Sequence, residues 1–243
     1  MNPRQDETTV AAVICAAGAS KRMGGKKKEY RPLPGSEQTV LGAAVSAFAA
    51  VPEIRDIIIT VPDNPETGEA AARNALPPEL FAGETGLSIR FTPGGKTRSA
   101  SVFNALTALS ASPPGYVLIH DGARPRISPG LIKRIIAEVK KHNAVIPLLP
   151  LTETPKETGE SGVGGAVIIK RHLKRAFVGV AQTPQAFVFS EILAAHEKAA
   201  VRENTEGIEY TDDAEIWAAF CGPVTAIPGE PENRKITFPE DLC

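Results

Sequence analysis

Continuous apolar runs alternate with helical patterns along the first 150 residues, and few folds are built from such an alternation. The runs are continuous and do not alternate with polar residues, which is typical of strands covered on both faces of a parallel sheet. The predicted strands are residues 10–16, 54–61, 116–120 and 144–149, with a shorter one at 87–91.

Between these runs, apolar residues recur at helical spacing. The clearest case is residues 129–141, where Leu131, Ile135 and Val139 fall on one face. Strands and helices in alternation imply right-handed crossovers, with helices on both faces of the sheet. The sequence therefore predicts a doubly wound, mostly parallel α/β fold of the Rossmann-like kind. The predicted helices are residues 40–50, 69–75, 98–109 and 129–141.

The alternation breaks between residues 150 and 175. A polar stretch leads into Gly159, Gly162, Gly164 and Gly165, whose spacing is typical of turns. This segment is too short for a separate domain, so we expect one domain over residues 1–243 with a protruding hairpin arm at 150–175. Two helices and a closing pair of strands are predicted after it, at residues 190–201, 212–220, 224–227 and 235–237.

Composition restricts the possible partners. The chain has 243 residues, 42% of them hydrophobic, and a formal net charge of -1. No overall basic field recruits nucleic acid or a membrane surface, and no apolar run reaches the length of a membrane span. Cys15, Cys221 and Cys243 lie too far apart for metal-ligand spacing. The first nine residues are polar, so we expect a cytoplasmic protein with neither type of partner.

The loop after the first predicted strand, residues 16–30, is the strongest candidate for a binding site. It combines glycines with Lys21, Arg22 and three consecutive lysines, and a triphosphate requires such backbone amides and cations. It is not a Walker loop, because its Gly-Lys pair is followed by Lys27. It is not a dinucleotide fingerprint either, since Ser20 stands in place of the second glycine. The alternative is a solvated basic loop.

Two further loops carry charge at the ends of predicted elements. Asp121 follows a buried strand and Arg124 comes three residues later, which suits a site that handles phosphate; a structural ion pair is the alternative. Residues 94–101 lead from two glycines into a helix whose free amides can hold an anion or a base edge, unless they form an ordinary capped helix start. His120 is predicted to be a buried, hydrogen-bonded group and not a catalyst.

Taken in order, these residues resemble the 2-C-methyl-D-erythritol 4-phosphate cytidylyltransferase family of the non-mevalonate isoprenoid pathway. One such segment is weak evidence, but an ordered series over nearly the whole chain is specific. The series is Ala16-Ala17-Gly18, Arg22-Met23-Gly24, Lys28-Glu29-Tyr30, Gly94-Gly95 with Arg98 and Ser101, residues 120–125, Thr183-Pro184-Gln185, residues 211–214, Lys235-Ile236-Thr237 and residues 239–242.

The resemblance implies that the cytidyl group of CTP moves to 2-C-methyl-D-erythritol 4-phosphate and that pyrophosphate leaves. Mg²⁺ would be bound mainly through the CTP phosphates, with no protein ligand assigned to it. The implied catalytic residues are Arg22, Lys28, Asp121 and Lys235. The implied CTP-binding residues are Ala16, Ala17, Gly18, Gly95 and Ser101. The implied residues that bind the polyol phosphate are Arg124, Thr154, Arg175, Thr183 and Asp212.

The resemblance also implies a homodimer, because in this family the arm reaches across a twofold axis. Thr154 and Arg175 would then serve the neighbour's site, and Arg171 is the alternative to Arg175. Lys27 stands where the family commonly has proline, so Lys26 or Lys27 could share the role of Lys28.

Three other functions compete with this interpretation. A ribitol 5-phosphate cytidylyltransferase shares most of these segments, although Gly122 and Ala123 favour methylerythritol phosphate. A sugar nucleotidyltransferase that uses UTP or GTP fits the ordered series less well. A non-catalytic nucleotide-binding module would not need Arg22, Lys28 and Lys235 together.

Overall fold

Three consecutive isoleucines show why the central sheet forms. Ile57, Ile58 and Ile59 are fully buried. Ile57 and Ile59 belong to one hydrophobic cluster and Ile58 to another, because successive side chains of a strand point to opposite faces. Both faces must therefore be covered. The computed structural model describes residues 6–20, 23–24, 27–64, 66–82, 86–160 and 165–242.

The strands within these ranges are β1 (Asp6–Cys15), β2 (Ile54–Val61), β3 (Ser88–Pro93), β4 (Pro114–Asp121), β5 (Ala144–Pro150), β6 (Lys156–Thr158), β7 (Ile169–His172), β8 (Gly179–Ala181), β9 (Gln185–Val188) and β10 (Thr225–Pro228). The helices are α1 (Val40–Ala49), α2 (Glu69–Asn74), α3 (Arg98–Leu109), α4 (Pro129–His142), α5 (Phe189–Glu206) and α6 (Asp213–Phe220). None of these helices is long and apolar enough to cross a bilayer.

Four of the helices begin at a residue whose side chain accepts a hydrogen bond from a backbone N–H of the first turn. These residues are Thr39 for α1, Thr97 for α3, Ser128 for α4 and Asp212 for α6. Such caps satisfy donors that have no partner inside the helix. They fix where α3 and α6 begin, which matters because both begin beside the candidate site.

One sheet contains eight of the described strands, in the order β10-β5-β9-β4-β1-β2-β3, with β8 paired to β5. β1 runs parallel to β2 and β4, whereas β9 is antiparallel to β4 and β5. The chain passes outward from β1 to β3 and then returns to the other side of β1 as β4. The strand order therefore reverses between β1 and β4, and ligands bind at the carboxyl ends of strands at such a point.

Helices cover both faces, which confirms the predicted doubly wound fold. Phe48 of α1 and Ile135 of α4 pack in the cluster on one face. Leu106 of α3, Ile192 of α5 and Trp217 of α6 pack in the cluster on the other.

The segment predicted as an arm, residues 150–175, contains a hairpin apart from the main sheet. β6 and β7 pair with each other in a two-stranded antiparallel sheet, and their residues are exposed. Gly162 and Gly164, which were predicted at its tip, lie outside the described residues.

One half of the predicted closing strand pair is wrong. Residues 225–228 form β10, but residues 235–237 are not a strand. The Ile236 amide donates to the Ala123 carbonyl at 2.8 Å, and the Ile236 carbonyl accepts from the Lys28 ammonium at 2.7 Å. The hydrogen bonds of this segment thus go to two loops of the candidate site and not to a neighbouring strand.

Candidate active site

A cavity of about 540 Å³ opens at the carboxyl ends of β1 and β4. It lies where the reversal of strand order predicts a ligand. The predicted site residues that line it are Ala17, Gly18, Lys28, Gly95, Ser101, Asp121 and Lys235. Arg22 lies outside the described residues, so its role stays a prediction.

The first wall of the cavity is the loop after β1. The Ala16 amide donates to the Thr60 carbonyl at 3.0 Å and lies 3.2 Å from the Thr60 hydroxyl, so the loop is tied to the end of β2. Gly94 packs directly against this loop. A Cβ atom on Gly94 would lie 2.2 Å from the Cβ of Ala17, so only glycine permits the two loops to approach this closely.

The second wall is the start of α3. The Ser101 hydroxyl accepts from the Gly95 amide at 3.0 Å and donates to the Thr97 carbonyl at 2.9 Å. Ser101 thereby fixes the loop before the helix. The residues predicted to recognise the nucleoside, Ala17, Gly95 and Ser101, lie together on this side of the cavity.

The structure separates the neighbouring lysines. Lys28 is buried and lines the cavity, with its ammonium 2.7 Å from the Ile236 carbonyl. Lys27 is directed into the loop. Its ammonium contacts the carbonyls of Ala16 and Gly18 and lies 3.3 Å from the Glu29 carboxylate. Burial lowers the pKa of Lys27, and Glu29 opposes that shift. Lys26 lies outside the described residues.

Asp121 is the anionic centre of the site. Its Oδ1 lies 3.3 Å from Arg98 Nε, and its Oδ2 lies 2.8 Å from Lys235 Nζ and 3.6 Å from Arg124 Nε. Burial alone would raise the pKa of this carboxyl, but the three cations outweigh burial and hold the pKa well below its usual range. Asp121 is therefore a carboxylate at any working pH.

A buried set of hydrogen bonds supports Asp121 from below. The Thr183 hydroxyl accepts from the Asp121 amide at 3.0 Å and lies 3.0 Å from His120 Nδ1, to which its proton is assigned. His120 Nε2 then donates to the Arg124 carbonyl at 3.2 Å. Burial lowers the pKa of His120 to about 4, so the imidazole is neutral. The prediction that His120 is buried and hydrogen-bonded is confirmed.

The residues predicted to bind the polyol phosphate do not gather at the cavity wall. Arg124 Nη1 donates to the Asn233 carbonyl at 2.8 Å, and the Asp212 carboxylate caps α6 and accepts from Gln185 at 2.8 Å. Arg124, Thr183 and Asp212 are not among the described residues that line the cavity. Their contacts hold its surroundings, and direct binding of a ligand by these side chains stays a prediction.

Thr154 and Arg175 are exposed and are likewise absent from the described cavity lining. Arg175 Nη1 donates to the Thr152 carbonyl at 2.6 Å. The alternative arginine, Arg171, pairs with Glu157 across the arm hairpin at 2.9 Å.

Two residues of the site, Arg98 and Asp213, were not assigned a role from the sequence. Arg98 lines the cavity and bridges Asp121 and Asp213. Both residues lie in segments that carry the family resemblance. A sequence segment does not show, however, which of the adjacent carboxylates Asp212 and Asp213 is directed toward an arginine on another helix.

A loop with glycines and lysines beside a cluster of cations, at the switch point of a doubly wound sheet, is typical of α/β proteins that bind a phosphorylated nucleotide. The chain belongs to the family "IspD: 2-C-methyl-D-erythritol 4-phosphate cytidylyltransferase", which matches residues 10–243.

The similar proteins agree with this membership. The bifunctional enzyme IspD/IspF of Bradyrhizobium sp. (strain ORS 278) is 40% identical over 240 residues, which cover 96% of this chain and 54% of that protein. The chain thus spans about half the length of the curated relatives it matches.

Two solved structures are similar over nearly their whole length. The 4-diphosphocytidyl-2C-methyl-D-erythritol synthase of Anaerococcus prevotii has a TM-score of 0.79 and 28% identity, over 98% of this chain and 94% of that one. The 2-C-methyl-D-erythritol 4-phosphate cytidylyltransferase of Thermus thermophilus has a TM-score of 0.71 and 30% identity, over 96% and 95%.

The buried imidazole of His120 makes stability depend on pH. Its folded pKa of about 4 lies below the ordinary value of 6.5, so between these values the unfolded chain binds more protons than the folded one. The contribution of the neutral imidazole to the free energy of unfolding is complete above pH 6.5 and is lost as the pH falls toward 4. From the size of the pKa shift, we expect this group to lower the free energy of unfolding by about 3 kcal/mol between pH 7 and 4.

Urea unfolding of the His120→Gln variant at both pH values tests this expectation, with the exposed His142→Gln as the control. The pH-dependent loss should shrink in the first variant and stay unchanged in the second. An equal loss in wild type and His120→Gln would contradict it.

Proposed function

We propose that this chain transfers the cytidyl group of CTP to 2-C-methyl-D-erythritol 4-phosphate and releases pyrophosphate. The observation that carries the proposal is the cavity at the switch point, where Lys28, Asp121 and Lys235 of the matched family segments face one space.

The chemistry agrees with these residue types. A phosphate oxygen of the polyol attacks the α-phosphorus of CTP, the bond from that phosphorus to the β-phosphate bridge breaks, and pyrophosphate carries away the electron pair. The nucleophile is already ionised near neutral pH, so the step needs no strong general base. It depends on in-line positioning and on neutralisation of charge, which Lys28 and Lys235 would supply.

Lys235 is suited to this role by its contact with Asp121. The side chain is 38% exposed, while its ammonium is held 2.8 Å from the carboxylate. Asp121 thereby holds the cation at the cavity wall before any ligand arrives. A positioned cation loses less conformational entropy on meeting a phosphate than a free surface lysine would.

Mg²⁺ belongs to the same proposal as a companion of the triphosphate. Among the described residues there is no group of three His, Cys, Asp or Glu side chains that could hold a metal, and both oxygens of Asp121 already meet cations. This donor set fits an ion carried mainly by phosphates, with Asp121 as the nearby carboxylate. When bound, the ion would neutralise charge on the triphosphate.

The arm supports a homodimer in this proposal. Ile168 is 80% exposed and Phe177, just beyond the arm, is 83% exposed. Large apolar side chains in this position favour contact with another protein surface, and Arg175 would then act in the partner's site. The free thiols Cys15 and Cys221 suit a reducing compartment, which supports a cytoplasmic location.

The central test is pyrophosphate release from CTP and Mg²⁺, with 2-C-methyl-D-erythritol 4-phosphate and ribitol 5-phosphate offered in parallel. We expect release with the first substrate alone. Release with ribitol 5-phosphate alone would assign the chain to the rival activity. No pyrophosphate release with either substrate would favour the non-catalytic nucleotide-binding module.

The two described lysines of the opening loop should respond differently to loss of charge. Because Lys28 faces the cavity, we expect Lys28→Met to lower kcat by about 100- to 1000-fold, as when one stabilising donor is lost. Lys27 holds loop carbonyls, so Lys27→Met should act mainly on KM for CTP. Steady-state kinetics distinguish the two, and a kcat loss confined to Lys27→Met would show that the assignment is reversed.

The dimer interface is tested by removing its apolar side chains. We expect the double variant Ile168→Ser, Phe177→Ser to sediment as a monomer and to lose activity, because the arm could no longer reach the neighbouring site. Val201→Ser is the matched control, since Val201 is 61% exposed but lies on α5. A fully active wild-type monomer would refute the cross-subunit role of Arg175.

A further inference from the structure

A line of charged and polar groups runs from the interior of α5 to the cavity. His196 Nε2 lies 3.2 Å from Asp213 Oδ1, and Asp213 Oδ2 lies 2.7 Å from Arg98 Nη2. Arg98 Nε in turn lies 3.3 Å from Asp121 Oδ1. Four side chains from α5, α6, α3 and the end of β4 are thus joined by consecutive contacts.

The two residues of this line farthest from the cavity, His196 and Asp213, are shielded from solvent. The side chains of His196 and Asp213 are both 0% exposed, whereas Arg98 is 28% exposed at the cavity wall. Burial would raise the pKa of Asp213, but Arg98 and His196 together keep that pKa below its usual value. Asp213 is therefore a buried carboxylate without access to water, and it holds the guanidinium through an ion pair at 2.7 Å that lacks hydrogen-bond geometry.

The histidine determines how that carboxylate is oriented. A carboxylate only accepts hydrogen bonds, so His196 donates to Asp213 from Nε2. Nδ1 is buried and has no partner among the described residues. A buried polar nitrogen without a partner is costly, and a leucine of similar size would avoid that cost. Packing alone therefore does not account for a histidine at this position, whereas its hold on Asp213 does.

We propose that His196 and Asp213 are positioning residues that hold Arg98 against Asp121 during nucleotide transfer. The need arises because Arg98 faces the space that a strongly negative triphosphate would occupy. Without a second, immobile carboxylate, the guanidinium would turn toward the phosphates and leave Asp121. Asp121 would then hold Lys235 with one neighbouring cation fewer, and the cation cluster would no longer match the transition state.

The proposal rests on the proposed function, and it predicts a particular kinetic signature. His196→Leu should lower kcat by about tenfold, the smaller end of the effect of an outer-layer partner, with KM for CTP within about threefold of wild type. His196→Gln keeps an N–H donor and should recover kcat to within about threefold. Ile192→Val, which removes a buried methyl group from the same helix, is the control for packing and should leave kcat unchanged.

A second readout does not depend on turnover. The ¹⁵N–¹H signal of Arg98 Nε, assigned by its loss in Arg98→Lys, should be protected from exchange in wild type and His196→Gln and exposed in His196→Leu. Asp213→Asn keeps the shape of the side chain and removes its charge, so it should lose both the protection and the kcat even if His196→Leu fails to fold.

Protection of Arg98 and full kcat in His196→Leu would overturn the proposal, as would equal losses in the leucine and glutamine variants. If wild type releases no pyrophosphate, the proposed function fails. The exchange measurement then decides alone whether His196 and Asp213 hold Arg98.

Discussion

An ionised carboxylate is stable in a buried position only where opposite charges or hydrogen bonds compensate for its lost hydration, and this requirement at Asp121 organises the site. The compensation comes from three separate parts of the chain. Arg98 arrives with α3, Arg124 with the loop that Asp121 begins, and Lys235 with the segment after β10. The strand order brings these parts together, because the reversal between β1 and β4 leaves the end of β4 beside the loops that follow β1 and β3.

The antiparallel strand β9 also helps to position Asp121. It lies between β4 and β5, and the chain just before it supplies Thr183 under the Asp121 amide. A strand parallel to β4 would begin at the amino end of β4, so the residue just before it could not place a hydroxyl next to Asp121. The neutral His120 completes this floor. Asp121 is therefore charged where it faces the cavity, while Thr183 and His120 directly beneath it are neutral and hydrogen-bonded.

Periodicity predicted most of the fold, because it reports which faces are buried: β2 and α3 have the predicted bounds. It failed at residues 235–237, because the apolar Ile236 is buried in a small cluster with Val40 of α1 and with Leu242, and not in a sheet. The family resemblance located the cavity residues Lys28, Asp121 and Lys235. It did not separate the functions of Lys27 and Lys28, or of Asp212 and Asp213, because adjacent residues differ in direction and only the folded chain defines direction.

The hydrogen bond between Lys28 and the Ile236 carbonyl joins residues 208 positions apart. During synthesis, the opening loop and the strands around it are complete long before residue 236 leaves the ribosome. Until then the lysine that faces the cavity lacks this acceptor, and the space beside it is not closed by the later segment. The site is thus assembled from segments that are made at well separated times, and its geometry is complete only once residue 236 has been synthesised.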